Sequence, residues 1–318
     1  MTLQEQIRRN RLRSLVAVGG FFLLVAILAA AIGVLFDLYL GGFALAGSLL
    51  YAGFALLRSR SLVAGITGAR PVDPDELRPL RRLVDNVSIA AGLPVTPELY
   101  LVDDPAPNAF ASGLRPEKSF VGVTTGLLRA MPKRELEAVL AHEIAHVRNR
   151  DTYLMTVAAV FVGVIAFIAD LGFRAFAYGG RARGRGGAIA IVLAVVGLLL
   201  APYAAIVLRM SLSRRREYLA DATGAEILGD AEAMALALRR LGEDPTTVAH
   251  ADSSVAHLWI ESPTDRLEAP RRGESALAGW FNTHPPLSDR IAALERAGGF
   301  VLPEQLRDDE PFALELGL

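Results

Sequence analysis

The sequence of 318 residues contains no cysteine. Disulfide bonds and cysteine metal ligands are therefore excluded, and any transition metal must be held by histidine and carboxylate side chains. Histidine is also scarce, with five residues, and the net charge of −1 gives no excess of either sign. The arginines cluster beside apolar blocks, which is typical of membrane flanks rather than of a nucleic-acid-binding patch. We therefore expect no nucleic-acid partner.

Hydrophobic residues make up 52% of the chain and form four blocks long enough to be considered as membrane spans. The first two blocks, residues 15–36 and 38–57, are separated by Asp37 and flanked by arginines at their outer ends. This pattern predicts a transmembrane helical hairpin within residues 1–70, with both of its ends in the cytosol because arginine marks that side. A signal peptide and a hairpin buried in a soluble domain are the alternatives, but each block is long for either.

The other two blocks, at about 153–173 and 188–208, predict a second hydrophobic hairpin inserted into a domain formed by residues 71–318. The loop between them, residues 179–187, is rich in glycine and arginine. A full hairpin would place these arginines on the non-cytosolic side, against the usual charge asymmetry. We therefore leave open whether the second hairpin spans the bilayer or lies partly in its interface.

Residues 142–146 read His-Glu-Ile-Ala-His. Residues four apart share one face of a helix, so the imidazoles of His142 and His146 can reach one metal ion. Glu143 would project beside the open position of that metal, where it could take a proton from water. The alternative is a pair of surface histidines on an amphipathic helix.

Three short segments ahead of this motif have the composition of strands: residues 98–103, 108–113 and 119–125. They predict a small sheet next to the metal-binding helix. If residues 108–113 form an exposed edge strand, that edge could hold an extended peptide by main-chain hydrogen bonds. The alternative is that this strand simply pairs within the sheet.

A catalytic zinc ion normally takes three protein ligands, so a third ligand should lie elsewhere. Glu217 follows the fourth apolar block, and His142 and His146 precede the third, so a hairpin would bring the two places together. Asp221 lies four residues after Glu217 and could accept the ring N–H of a ligating histidine. On spacing alone, a solvated carboxylate pair beside a basic run is an equally good interpretation.

Five segments, in this order, resemble the HtpX-like membrane metalloproteases, relatives of the CAAX prenyl endopeptidases. They are the N-terminal hairpin, Asn108-Ala109-Phe110, residues 142–146, residues 213–221 and Thr283-His284-Pro285-Pro286. The resemblance implies a mainly α membrane protein, in which helical transmembrane hairpins accompany a cytosolic zincin-like α+β metalloprotease domain with a small sheet. It also implies a function as a membrane-bound zinc-dependent endopeptidase in quality control of misfolded membrane proteins. A non-enzymatic metal-binding membrane scaffold or sensor is the alternative.

The resemblance also assigns roles to residues. It implies that His142, His146 and Glu217 bind one Zn²⁺ ion per chain, that Glu143 is the catalytic acid and base, and that Asp221 supports a ligating histidine. It implies that Asn108, Ala109 and Phe110 lie along the substrate, and that His284 and Arg290 stabilise the oxyanion. Alternatively, His284 belongs only to a turn that enters the last helix. The expected partners are membrane-protein substrates and the lipid bilayer, and the expected location is the inner membrane, with the catalytic domain facing the cytoplasm.

Overall fold

The computed structural model describes residues 38–73, 75–161, 214–249, 255–261, 285–306 and 309–317, together with scattered positions between residues 8 and 34. We number the helices and strands of the contiguous ranges in chain order. They are α1 (Leu38–Leu57), α2 (Ser59–Thr67), β1 (Ala69–Pro71), α3 (Arg78–Ala90), β2 (Glu98–Val102), β3 (Ala109–Ser112), β4 (Phe120–Thr124), α4 (Thr125–Ala130), α5 (Lys133–Arg148), α6 (Asp151–Phe161), α7 (Arg214–Leu228), α8 (Ala231–Glu243), α9 (Leu287–Gly298) and α10 (Ala313–Leu316).

The four strands form one mixed sheet in the order β1-β2-β4-β3. β2 and β4 are parallel, with Leu101 opposite Val123, whereas β1 and β3 each pair antiparallel with their neighbour. The sheet and its three longer strands confirm the sequence prediction, but β1 was missed because it has only three residues and ends in proline. β3 lies at one side of the sheet, with Phe110 opposite Gly122. A Cβ atom at Gly122 would come 2.3 Å from the Phe110 ring, so glycine is what lets this ring cross β4.

Helix α5 runs through the centre of the main core. Its residues from Leu136 to Val147 are buried almost without exception, against the sheet on one side and α3, α7 and α8 on others. The interpretation of its two histidines as surface residues on an amphipathic helix is therefore wrong. Helix α5 lacks the single apolar stripe of a surface helix because several of its faces are buried.

Helix α7 packs unusually close to α5 at Gly224. A Cβ atom on this residue would lie 3.0 Å from the backbone nitrogen of His142 and 3.1 Å from the carbonyl carbon of Ala141. Glycine lacks that atom, so the two helix backbones can approach each other directly. Glu217 and Asp221 precede Gly224 by seven and three residues, which places all three on the face of α7 that meets α5.

Helix α3 begins later than its sequence suggests. Asp73 and Glu76 have the spacing of a helix N-terminus, but the helix starts at Arg78. The Asp73 carboxylate accepts the N–H of Asp75, two residues on, in a local turn. Leu77 then has a φ of 52°, which interrupts a right-handed helix before it can begin.

The predicted membrane spans are described only in part. Among the described residues, no single helix is long and apolar enough to cross a bilayer, although Leu45–Leu57 and Ser59–Thr67, bent by 71°, would pass that test together. α1 has the bounds of the second predicted span, 38–57. The first, 15–36, is described only at scattered positions, the third, 153–173, only to Phe161, and the fourth, 188–208, lies outside the described residues.

Candidate metal centre

The two histidines of α5 meet a glutamate from α7 in the buried interior. The Nε2 atoms of His142 and His146 lie 3.2 Å apart. The Glu217 carboxylate approaches both rings, with one oxygen 3.7 Å from His142 Nε2 and the other 3.7 Å from His146 Nε2. The three side chains are at least 94% shielded from solvent. The packing of α7 on α5 thus brings Glu217 next to His146, although 71 residues of sequence separate them.

These distances fit a single tetrahedral metal ion. With ligand bonds of about 2.0–2.1 Å, the ligand atoms of a tetrahedral zinc site stand roughly 3.3 Å from one another. One potential ligand atom from each of His142, His146 and Glu217 lies within 4.8 Å of the others. Two nitrogens and one carboxylate oxygen suit zinc better than the oxygen-preferring cations Mg²⁺ and Ca²⁺. His142, His146 and Glu217 therefore fit a zinc ion, the metal that the sequence pattern implies.

The His142 ring contacts the carboxylate of Asp221, and this carboxylate is in turn hydrogen-bonded to Arg290. His142 Nδ1 lies 2.9 Å from the Asp221 carboxylate. The Arg290 guanidinium, from α9, donates two hydrogen bonds to that carboxylate, at 2.8 and 2.6 Å. Arg290 is fully buried, and its Nη1 atom also lies 3.7 Å from Glu217. The bidentate pair fixes Asp221, and Asp221 in turn fixes the orientation of the imidazole.

His146 has a corresponding support in Asp151, at the start of α6. The Asp151 carboxylate lies 3.2 Å from His146 Nδ1 and is almost fully buried. Arg216 Nε, from α7, lies 3.9 Å from the other oxygen of this carboxylate. Asp151 was not predicted from the sequence to be part of the site. Its only signal in the sequence is a carboxylate placed five residues after the second histidine, just beyond the end of α5.

The two carboxylates decide which ring nitrogen of each histidine carries a proton. A neutral imidazole that donates its Nδ1–H to a carboxylate leaves Nε2 as an unprotonated acceptor. In this protein both Nε2 atoms then point at each other and at the Glu217 carboxylate. Three electron-pair donors facing one another in a buried space are repulsive unless a cation lies between them. The arrangement is therefore what a metal site requires.

The pKa values of the two imidazole rings reflect the repulsion among these electron pairs. Burial lowers the pKa of His142 to about 4, and the positive charge of Arg290 adds to that effect. Burial also lowers the pKa of His146, but the Asp151 hydrogen bond and the charge of Glu217 outweigh it and raise the pKa to about 9. Without a metal, one proton on His146 thus supplies the positive charge that the cluster needs, and metal binding has to displace that proton.

Glu143 follows His142 in the same buried cluster, and both of its carboxylate oxygens are buried. Neither oxygen reaches hydrogen-bonding geometry with any of the described residues. Burial raises the pKa of Glu143 to about 8, while the charge of His146 and the backbone N–H of Ala111 oppose this rise. Because α5 packs against β3, this carboxyl group lies near the backbone of Ala111. A carboxyl group at this position can exchange a proton with a molecule that lies beside the cluster.

Comparison with known proteins agrees with this geometry. The sequence profile of Peptidase family M48 matches residues 74–297, which is more than two thirds of the chain. The chain belongs to peptidase family M48. It is 36% identical over 309 residues to a protease HtpX homolog of Listeria monocytogenes, covering 92% of this chain and 99% of the relative. A protease HtpX homolog of Limosilactobacillus fermentum is 36% identical over 304 residues, with the same coverage.

A third relative, the protease HtpX homolog of Caldanaerobacter subterraneus, is 38% identical over 252 residues, or 77% of this chain and 81% of the relative. Among solved structures, the crystal structure of S. mikatae Ste24p aligns with a TM-score of 0.46 and 19% identity over 92% of this chain and 66% of that chain. Membership of M48 makes this protein a metalloprotease, a hydrolase of peptide bonds. The predictions of family and of enzyme class are confirmed.

The M48 motif residues were predicted to act together, and the structure brings most of them together. His142, Glu143, His146, Glu217 and Asp221 form one buried cluster. Their individual roles in binding and catalysis remain predictions.

The remaining predicted site residues have different positions. Arg290 reaches the cluster, where its contacts include Asp221, His142, Glu217 and the carbonyl of Ile260. The predicted role of Arg290 in stabilising an oxyanion stays a prediction, and His284 lies outside the described residues. Asn108, Ala109 and Phe110 lie at and within β3, which lies near Glu143.

Proposed function

We propose that this M48 protease is a membrane-bound zinc endopeptidase that cleaves extended or unfolded segments of membrane proteins on the cytosolic side. One observation carries the proposal: His142, His146 and Glu217 converge in a buried cluster beside Glu143 and the edge of β3. Each imidazole has its Nδ1 atom next to its own carboxylate, which supports a role as metal ligand for both histidines.

We assign one Zn²⁺ ion per chain to His142, His146 and Glu217. Zinc bound there would acidify a water molecule and polarise the peptide carbonyl group. Glu143 accepts the proton of the attacking water on its carboxylate and then donates it to the departing amine. Burial raises the pKa of Glu143, which favours retention of the accepted proton until the amine departs.

The substrate in this proposal is an extended peptide laid against β3. Even-numbered residues of β3 direct their main-chain groups at β4, as the bond from Thr124 N–H to the Asn108 carbonyl shows. The main-chain groups of Ala109 and Ala111 therefore point outward, where a peptide can add as a further strand. A segment must be unfolded to bind in this way, which agrees with a role in quality control.

The membrane location rests on the apolar blocks of the sequence and on its similarity to protease HtpX homologs, whose family resemblance implies a membrane protein. The flanking arginines favour a cytosolic catalytic domain. Because there is no native cysteine, a single Glu117→Cys substitution on the exposed turn before β4 offers one reactive thiol. We expect a membrane-impermeant maleimide to label it only after cells are opened. Labelling in intact cells would contradict the cytosolic assignment.

The test of the enzymatic proposal is cleavage of an unfolded protein by the detergent-purified chain, with zinc and with a chelator. Glu143→Gln should retain one zinc per chain by elemental analysis but lose about 10²–10⁴-fold in rate, the usual contribution of a general acid or base. Glu137→Gln, on the same helix but half-buried and outside the cluster, is the matched control and should cleave normally. Cleavage at the wild-type rate by Glu143→Gln would refute the assignment.

A further inference from the structure

The outer edge of β3 is already in contact with a segment of the same chain, residues 258–261, which we call the edge segment. Phe110 and Trp259 form an antiparallel bridge, and the N–H of Ile260 donates to the carbonyl of Ala109 at 2.9 Å. The side-chain amide of Asn108 makes two hydrogen bonds with the main chain of Glu261. It donates to the Glu261 carbonyl at 2.8 Å and accepts from the Glu261 N–H at 3.3 Å. The edge segment thus pairs with β3 as an added strand does.

The edge segment also reaches the catalytic cluster. The carbonyl of Ile260 accepts a hydrogen bond of 3.3 Å from Arg290, the arginine that holds Asp221. Ala111, two residues along β3 from the paired Ala109, lies near the Glu143 carboxyl group. Trp259 and Ile260 are at most 2% exposed. An extended chain therefore already lies in the space between the strand edge and the cluster.

We propose that the edge segment is a built-in occupant of the peptide-binding edge, so that substrate binds only when residues 258–261 leave β3. This inference rests on the proposed function, because it concerns regulation of the same site. The carbonyl of Ala109 and the side-chain amide of Asn108 are the groups through which β3 would bind a peptide backbone, and the edge segment uses both. Substrate and edge segment consequently compete for one set of hydrogen bonds.

The contact is suited to release. Among the described residues, the edge segment meets β3 through a single bridge rather than a continuous ladder. The indole N–H of Trp259 is buried, and no acceptor for it exists in the described part of the chain. A buried donor without a partner opposes the closed arrangement. Opening gives that donor access to water, so the two states differ less in free energy than the burial of Trp259 alone would suggest.

The edge segment also indicates which peptides would replace it. The ring of Trp259 packs edge-on against Phe110, with ring centroids 4.8 Å apart. A substrate strand in the same register would place one of its side chains against Phe110. We expect the preferred substrates to carry a large apolar or aromatic side chain at that position.

The first test removes one hydrogen bond from the edge segment. Ile260→Pro deletes the N–H that donates to Ala109, whereas Ile260→Val keeps this N–H and serves as the control. Because the apparent KM is the intrinsic value divided by the open fraction, KM for fluorescein-labelled, reduced and carboxymethylated α-lactalbumin should fall about fivefold with kcat unchanged. A KM that is unchanged or higher, in a variant with full zinc content and normal unfolding temperature, would overturn the inference.

A second test locks the edge segment in place. Phe110 and Trp259 are a non-hydrogen-bonded antiparallel pair, whose Cα atoms lie about 4.5 Å apart, within the range that a disulfide can bridge. The double variant Phe110→Cys and Trp259→Cys should lose cleavage when oxidised, keep its zinc, and regain activity with reductant. The two single-cysteine variants control for the substitutions and should not respond to oxidation.

The outcomes separate this inference from the proposed function. Zinc-dependent cleavage that proceeds equally fast in the verified oxidised and reduced forms would overturn the inference alone. Absence of zinc-dependent cleavage in every form, including wild type and Ile260→Pro, would overturn the proposed function and the inference together.

Discussion

Replacing Gly224 by alanine should weaken metal binding although the residue contacts no metal. The added Cβ atom would lie 3.0 Å from the His142 nitrogen, and ordinary contact begins at 3.4 Å, so α7 must retreat from α5 by about 0.4 Å. The Met234 methyl group, 2.6 Å from the same Cβ, can rotate away, but the backbone of α5 cannot. The strain therefore falls on the helix pair that carries the ligands.

The expected size of the effect follows from the geometry of a metal site. Ligand distances in such sites are set to within about 0.2 Å, so a shift of about 0.4 Å in Glu217 relative to His142 is large. We expect the zinc dissociation constant to rise about 10–100-fold, the range found when the support of a ligand is disturbed. That range corresponds to about 1.4–2.8 kcal/mol.

Competition with a chelator of known affinity measures the zinc dissociation constant, and thermal unfolding of the metal-free protein measures stability. Gly65→Ala is the matched control, because a Cβ atom at that position in α2 meets nothing within 4 Å. It should gain up to about 1 kcal/mol from helix propensity and leave zinc affinity unchanged. If Gly224→Ala shows the same gain and the same zinc affinity, then close packing of α7 on α5 does not position Glu217.

Three further predictions concern other parts of the domain. Asp151→Ala should lower zinc affinity about 10–100-fold while far-UV circular dichroism stays unchanged, because His146 loses the acceptor that orients it; an unaltered affinity would exclude that support. Two hydrogen bonds from Arg134 lower the pKa of Asp230. The ionised carboxylate therefore stabilises the fold at any pH above the ordinary pKa of aspartate, and this stabilisation is lost as the pH falls through the lowered pKa. Arg134→Leu should accordingly cost up to about 1 kcal/mol in urea unfolding at pH 7 and nothing in acid, and an equal cost at both pH values would contradict this cause. Leu80→Ala, at a fully buried site of α3, should reduce the free energy of unfolding by about 2–5 kcal/mol; a cost below about 1 kcal/mol would indicate that the core refills the cavity.

Much of the buried cluster could be predicted because its members lie at helical spacing within single helices. His142 and His146 are four residues apart on α5, and Glu217 and Asp221 are four apart on α7. Local periodicity places each pair on one face without any knowledge of the fold. That the two faces meet could only be inferred, from the apolar runs between them and from family resemblance.

The remaining supports depend on packing between distant segments, which no local pattern reports. Arg290 reaches Asp221 across 69 residues of sequence, and the edge segment reaches Asn108 across 153. From local sequence alone, Arg290 at the start of α9 would be predicted to be an exposed helix residue, although it is buried. At the start of α3 a local signal is present but has another use, because the Asp73 side chain caps a tight turn instead of a helix.

The order of these elements along the chain has a consequence for synthesis of the protein. The two histidines are made first, Glu217 follows 71 residues after His146, and the arginine that braces the cluster follows 73 residues after that. At about 5–20 residues per second, roughly 7–29 s separate the addition of His146 from that of Arg290. For about the first half of that interval a growing chain carries the two histidines without Glu217, and for the second half it carries Glu217 without the arginine that holds Asp221, so the cluster is completed in two separate steps.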